Sequence, residues 1–162
     1  MCMLLTSKKF KGGVKLQHHK NTENCETIRM GLPEKVLIPM LQHIGAPCNP
    51  TVKKGDIVKV GQVIGVSDKF ISSPVHSSVS GTVVDVRPIL YPGGTYVTAV
   101  EIKTDGNQEI SEEVMPPKIS NKDDFIKAIS KSGLVGLGGA GFPAHVKLSP
   151  PPDKVIDTLI IN

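Results

Sequence analysis

Four glycines fall within the six positions Gly136-Leu137-Gly138-Gly139-Ala140-Gly141, and Phe142-Pro143 follow directly. Residues without a Cβ let a backbone come close to a ligand and turn its N–H groups toward an anion. Pro143 suits the start of a short helix, whose first turn favours a phosphate. Lys147 lies one turn further on and adds a full positive charge. The chemistry this spacing suggests is therefore capture of a phosphorylated ligand. Gly136, Gly138 and Gly141 also match the spacing G-x-G-x-x-G. That fingerprint requires a strand before the loop, and the residues before this one read as a helix. No Gly-Lys-Ser/Thr follows, which excludes a P-loop.

Other reactive side chains offer less. Cys2, Cys25 and Cys48 are odd in number, far apart and never paired as C-x-x-C. That argues against a disulfide framework and against zinc or iron–sulfur ligation within this stretch. His18 and His19 are adjacent and would point apart on a regular element, so they read as surface histidines. His76 has no carboxylate or nucleophile near it in sequence and reads as a hydrogen-bonded structural residue.

The elements that must position the glycine loop can be read from periodicity. Residues 1–30 form a polar, basic arm with little periodicity, and Phe10-Lys11-Gly12-Gly13-Val14 suggests a short strand broken by a turn. Residues 31–110 form a strand-rich domain. Its apolar positions are Val36 to Pro39, the alternation from Ile57 to Val66, the run from Ser72 to Val86, and Tyr96 to Ile102 after a Pro92-Gly93-Gly94 turn. Short β-branched strands at this spacing predict a small sandwich or barrel. Residues 111–119 read as a linker closed by Pro116-Pro117. Residues 120–162 read as the opening of an α/β domain. Its helix is capped by Ser120 or Asn121, has Asp123 and Asp124 in its first turn, and carries an apolar stripe of Phe125, Ile126 and Ile129. Gly133 is its natural stop. The loop, an amphipathic stretch from Ala144 to Leu148, a Pro150-Pro151-Pro152 connector and a buried strand from Val155 to Ile161 complete it. One helix, one loop and one strand cannot bury a core, so this domain reads as truncated.

Composition narrows the class. Of 162 residues, 39% are hydrophobic and 21% charged, which suits a folded chain. Aromatics are only 4% with no Trp, so Val and Ile carry the core. Residues 1–59 hold ten Lys/Arg against four Asp/Glu, and residues 60–162 hold nine against eleven. The basic half lacks the interleaved aromatics that stack bases, which argues against nucleic acid as a partner. No apolar run approaches the roughly 20 residues needed to span a bilayer, and no secretory leader is evident. The expectation is a soluble intracellular chain with no transmembrane segment of its own.

The stretch Gly136-Leu137-Gly138-Gly139-Ala140-Gly141-Phe142-Pro143-Ala144-His145-Val146-Lys147-Leu148 resembles the flavin-binding loop of the C subunit of the Rnf-type ion-translocating electron transport complex. It is also similar to the loop of the flavin- and NADH-binding subunit of respiratory complex I. Phe10 to Val14, Gln42-His43-Ile44-Gly45-Ala46-Pro47 and Ser73-Pro74-Val75-His76-Ser77-Ser78-Val79-Ser80-Gly81 resemble the arm and first domain of the Rnf subunit, so the likeness covers nearly the whole chain. It implies a barrel-sandwich hybrid (biotinyl/lipoyl-like) domain followed by the truncated start of an α/β flavin/NADH-binding domain. It also implies FMN and NADH as cofactors of the full-length protein, an NADH/ferredoxin oxidoreductase activity coupled to ion translocation, and Gly136, Gly138, Gly139, Gly141, Phe142 and Lys147 around the flavin phosphate and ring. The family's two 4Fe-4S clusters sit on a Cys-x-x-Cys-x-x-Cys pattern absent here, so they are expected only beyond Asn162, and these residues alone are expected to be inactive. Implied partners are the other subunits of the membrane complex and ferredoxin or a similar acidic electron carrier. The implied location is cytoplasmic, peripheral on the inner face of the cell membrane.

The domain invites an alternative. Gly55-Asp56-Ile57-Val58 and Gly61-Gln62-Val63-Ile64-Gly65, followed by Ser80-Gly81-Thr82-Val83, look like the two quasi-repeated hairpins of a biotinyl/lipoyl carrier. Lys69 sits near the position of the modified lysine in such carriers. A carrier, or a non-catalytic docking module, is the second reading.

Overall fold

The computed structural model describes residues 17–158. The chain divides after Gly31. In the first unit, residues 17–31 hold one turn over residues 21–24 and are exposed throughout, His18 and His19 included. The segment Phe10 to Val14 lies outside the described residues.

In the second unit, β-branched segments form seven antiparallel strands in two sheets among the described residues. The strands are β1 (Lys35–Pro39), β2 (Asn49–Pro50), β3 (Ile57–Val58), β4 (Val63–Val66), β5 (Val75–His76), β6 (Gly81–Tyr91) and β7 (Thr95–Thr104). One sheet has the order β1-β7-β6-β3 and the other β2-β4-β5. The expected alternation from Ile57 to Val66 is split. A turn closed by the Gln62 N–H on the Lys59 carbonyl at 3.2 Å separates β3 from β4 and sends them to different sheets. The core forms between the sheets. Ile64 and Val75 from one side meet Ile38, Val58, Val83, Val100 and Ile102 from the other, with Met40 and Cys48 filling between them. The barrel-sandwich architecture expected for this region follows.

A β-bulge decides which face of β6 is buried. The register steps from Val83↔Ile102 to Asp85↔Glu101, so one extra residue interrupts the two-residue alternation. Val83 and Val86 therefore both reach the core, while Asp85 and Arg87 stand outside. On that outer face Glu101 receives Arg87 at 3.2 Å and Lys35 at 3.3 Å. Solvent screens such half-exposed pairs, so they add little to stability.

The Arg87 guanidinium, and after it the Lys35 ammonium, holds Glu101 below the usual carboxylate range. The Ser80 hydroxyl, donating at 2.7 Å, and the Asn107 N–H do the same for Asp105. Both folded-state values lie below the unfolded ones. Their stabilisation is thus complete above the unfolded range and is lost as pH falls through the folded values. Thermal melts should show a midpoint that is steady above about pH 5 and drops below about pH 4. In Ser80→Ala, the Asp105 carboxyl followed by carbon NMR should titrate at higher pH. An unchanged Asp105 titration would remove Ser80 as the cause.

Cys48 is buried, and its thiol donates to the Ser73 carbonyl at 3.1 Å. Burial pushes that thiol up, against smaller opposite contributions from Ser72 and Val75. Thiolate is the reactive form. A thiol reagent should therefore modify exposed Cys25 in the folded chain and reach Cys48 only on unfolding. Mass mapping of labelled peptides checks this.

After the sandwich, α1 (Lys122–Lys131) forms where the caps predict it. The Asn121 side chain accepts the Asp124 N–H at 2.9 Å, and Asp124 accepts the Ser120 N–H at 3.2 Å. Gly133 follows the cap at φ +72°, a conformation that ends the helix without a Cβ penalty. None of the helix's residues is buried, and Phe125 in its apolar stripe is exposed. The strand expected from Val155 to Ile161 is not found in its described part. Residues 155–158 have no regular structure, and Val155 is 92% exposed. A strand satisfies its N–H and C=O groups only against a neighbouring strand, and among the described residues none lies alongside. Residues 159–162 lie outside the described residues.

Candidate functional site

The glycine loop leaves α1 and returns on itself through a narrow neck. Val135 and Pro143 form an antiparallel bridge. The Gly136 N–H donates to the Phe142 carbonyl, and the Ala144 N–H to the Leu134 carbonyl, both at 2.9 Å. These bonds consume the backbone groups at the base and leave those of the tip. Among the described residues, the N–H groups from Leu137 to Phe142 donate no hydrogen bond. Leu137 is 96% exposed, and no atom lies within 4 Å of where a Cβ would stand at Gly138 or Gly139. The tip is therefore a run of uncommitted amides open to solvent.

Lys147 closes the base. It ends α2 (Ala144–Lys147), and its ammonium lies against the Cα of Gly136, in the space a Cβ would take. The short helix is a single turn with Pro143 at its N-cap, not inside it. A dipole that short is weak, so attraction for an anion rests on the loop amides and on Lys147. Phe142 is half-buried at the neck, and Pro143 is buried.

The loop is fixed to the sandwich by residues whose role sequence spacing did not reveal. The Ile44 N–H donates to the Ala140 carbonyl at 3.0 Å. Gly141 has φ +65°, and a Cβ there would stand 3.1 Å from the Gln42 carbonyl oxygen and 3.2 Å from the His43 Cα. His43 is itself buried and held in place. Its Nε2 lies 3.0 Å from the Ser73 nitrogen and 3.1 Å from the Ser73 carbonyl oxygen, and its Nδ1 faces the Ile44 carbonyl at 3.1 Å. Buried His145 is placed against the Phe70 carbonyl through Nε2 at 3.4 Å, with the Phe70 ring edge-on to it. Gln42 and His43 lie far from the loop in sequence, and no spacing rule links them to it.

The structure thus brings Gly136, Phe142 and Lys147 together at the base, sets Gly138 and Gly139 at the open tip, and seats Gly141 on the sandwich. Two clefts of about 650 and 770 Å³ lie elsewhere, and neither includes a residue from Leu134 to Pro143. The open tip and the Lys147 ammonium suit an anion, and neither of these two clefts is lined by the loop. Lys69 is exposed, but its loop is tied down: the Ile71 carbonyl accepts the Ala46 N–H at 3.0 Å and the Phe70 carbonyl faces His145. A swinging-arm lysine needs a hairpin standing clear of its domain. No hydrogen bond engages the ring of His76 among the described residues. It packs against Gly133 instead, with a would-be Cβ there 2.9 Å from its Cε1.

Residues 8–107 match the family model of the RnfC barrel sandwich hybrid domain. The chain belongs to that family. Residues 129–162, which include the glycine loop, match the Nuo51 FMN-binding domain. Two similar relatives are C subunits: that of the proton-translocating ferredoxin:NAD(+) oxidoreductase complex of Clostridium ljungdahlii and that of the Na(+)-translocating complex of Acetobacterium woodii. The first is 44% identical over 96% of this chain and 35% of its own length, the second 43% identical over 94% and 35%. The C subunit of the ion-translocating oxidoreductase complex of Rhodobacter capsulatus is 33% identical over 98% of this chain and 31% of its own. The RnfC-family chain therefore spans about a third of the length of the curated relatives it matches. Among the described residues, no helix is long and apolar enough to cross a membrane. Nor is any group of three or more His, Cys, Asp or Glu side chains placed to hold a metal ion.

Proposed function

We propose that this RnfC-family chain supplies the phosphate-binding loop for FMN in a ferredoxin:NAD oxidoreductase subunit of an ion-translocating complex. The observation that carries the reading is the run of undonated N–H groups from Leu137 to Phe142 beside the Lys147 ammonium. The match of the same residues to an FMN-binding domain and the names of the relatives support it.

In this reading the residues bind and orient; none acts as acid, base or nucleophile. The tip amides around Gly138 and Gly139 donate to phosphate oxygens, and Lys147 neutralises their charge from the base. Gly136 keeps the space in which that ammonium sits, and Phe142 borders the ring side. Bound FMN would accept hydride from NADH and release electrons singly. 4Fe-4S clusters held beyond these residues would carry the electrons to or from ferredoxin or a similar acidic carrier. Residues 1–30 serve as an arm, 31–110 as the barrel-sandwich, 111–119 as a linker and 120–162 as the start of the flavin domain. The protein works beside other subunits of the complex, peripherally on the cytoplasmic face of the membrane.

The test is titration of FMN followed by quenching of flavin fluorescence. It is run on this chain and on residues 1–162 joined to the remainder of the Acetobacterium woodii relative. Saturable quenching in either form is the expected result. Two folded proteins that both leave the flavin unquenched would overturn the reading.

A further inference from the structure

The two clefts away from the glycine loop share Gly61, His76, Glu113, Lys127 and Lys131, so they form one continuous groove. One wall is the segment between β4 and β5, the other is α1, and residues 113–118 cross between them. Four lysines border it: Lys69, Lys118, Lys127 and Lys131. The acidic side chains present are Glu113 and Asp124, and Asp124 is already engaged by the Ser120 N–H. None of the four lysines forms an ion pair among the described residues. Lys127 and Lys131 are four residues apart on α1, a spacing at which like charges repel. The groove is also apolar: Val66, Phe70, Val114 and Met115 line it, and all four are exposed.

Unpaired positive charge over an exposed apolar floor is complementary to a chain that carries carboxylates between large apolar side chains. Each cleft is already as large as a small-ligand pocket, and the two are joined, so the shape suits an extended polypeptide. The geometry points to this groove as the docking site for an acidic, apolar-bearing segment of a partner polypeptide. The site is separate from the flavin loop and does not depend on that assignment.

Fluorescence anisotropy of the chain with a fluorescein-labelled peptide alternating Glu with Leu tests it, beside a control peptide alternating Lys with Leu. The Glu–Leu peptide should bind, and binding should weaken as salt rises. The double variant Lys69→Glu/Lys127→Glu, one charge from each wall, should weaken binding about tenfold, and Lys69→Gln/Lys127→Gln by less. Circular dichroism melts of these exposed-site variants confirm that they fold. Equal binding by the double Glu variant, or equal binding of the Lys–Leu peptide, overturns the proposal. Displacement of the peptide by inorganic pyrophosphate at comparable concentration would assign the groove to small anions instead. Concentration-dependent dimerisation abolished by the same substitutions would assign it to a second copy of the chain.

Discussion

Replacing Lys147 with Glu is expected to weaken FMN binding about a hundredfold, since a charge-assisted contact to phosphate is worth about 2 to 3 kcal/mol and reversal adds repulsion. Stability should barely change, because the side chain is exposed and forms no ion pair among the described residues. Gly136→Ala approaches the same interaction from the other side. Its methyl group would take the space of the Lys147 ammonium, the free end of a flexible chain that can move away at little cost to the fold. Flavin affinity should fall while the melting temperature stays within a few degrees of wild type. Fluorescence titration read beside thermal melts separates the two effects. A Lys147→Glu protein that holds FMN as tightly as wild type would remove the lysine from the phosphate site.

Gly141→Ala should act on the fold of the loop rather than on charge. Its φ of +65° is costly for any residue with a Cβ, and the new methyl would press on the Gln42 carbonyl and the His43 Cα. Neither neighbour can yield easily, because both contacts are with backbone. His43 is moreover pinned through Ser73. The expected cost is about 2 to 3 kcal/mol. It should concentrate on the bond from the Ile44 N–H to the Ala140 carbonyl. Hydrogen exchange at Ile44 is the direct measurement. Faster exchange there, with Val100 and Ile102 in the core still protected, is the expected pattern. Unchanged exchange at Ile44 would mean that Gly141 is not what seats the loop.

The clefts and the glycine loop occupy different parts of the surface. Substitutions at Lys69 and Lys127 touch the groove alone, and substitutions at Gly136 and Lys147 touch the loop alone. A partner segment docked in the groove would lie along α1, the helix that leads into the loop. α1 has no buried residue of its own, so cover from outside would add to its stability.

Local rules were enough for a good part of the molecule. β-branched alternation placed the strands, Asn121 and Gly133 bounded α1, and the glycines with Lys147 marked the loop. Each of these is written in residues close together in the chain, where backbone sterics and side-chain period act directly. What the residues could not express is long-range pairing. The bulge that turns Val83 and Val86 to the same side depends on the register of β7, and the break between β3 and β4 depends on which sheet each one joins. The seat of the loop on Gln42, His43 and Ile44 joins segments about a hundred residues apart. The meeting of four lysines from the β4–β5 segment, the linker and α1 joins residues about fifty to sixty positions apart. The tail from Val155 shows the same limit in reverse: an apolar run has the propensity for a strand, but only a neighbour with free N–H and C=O groups makes it one.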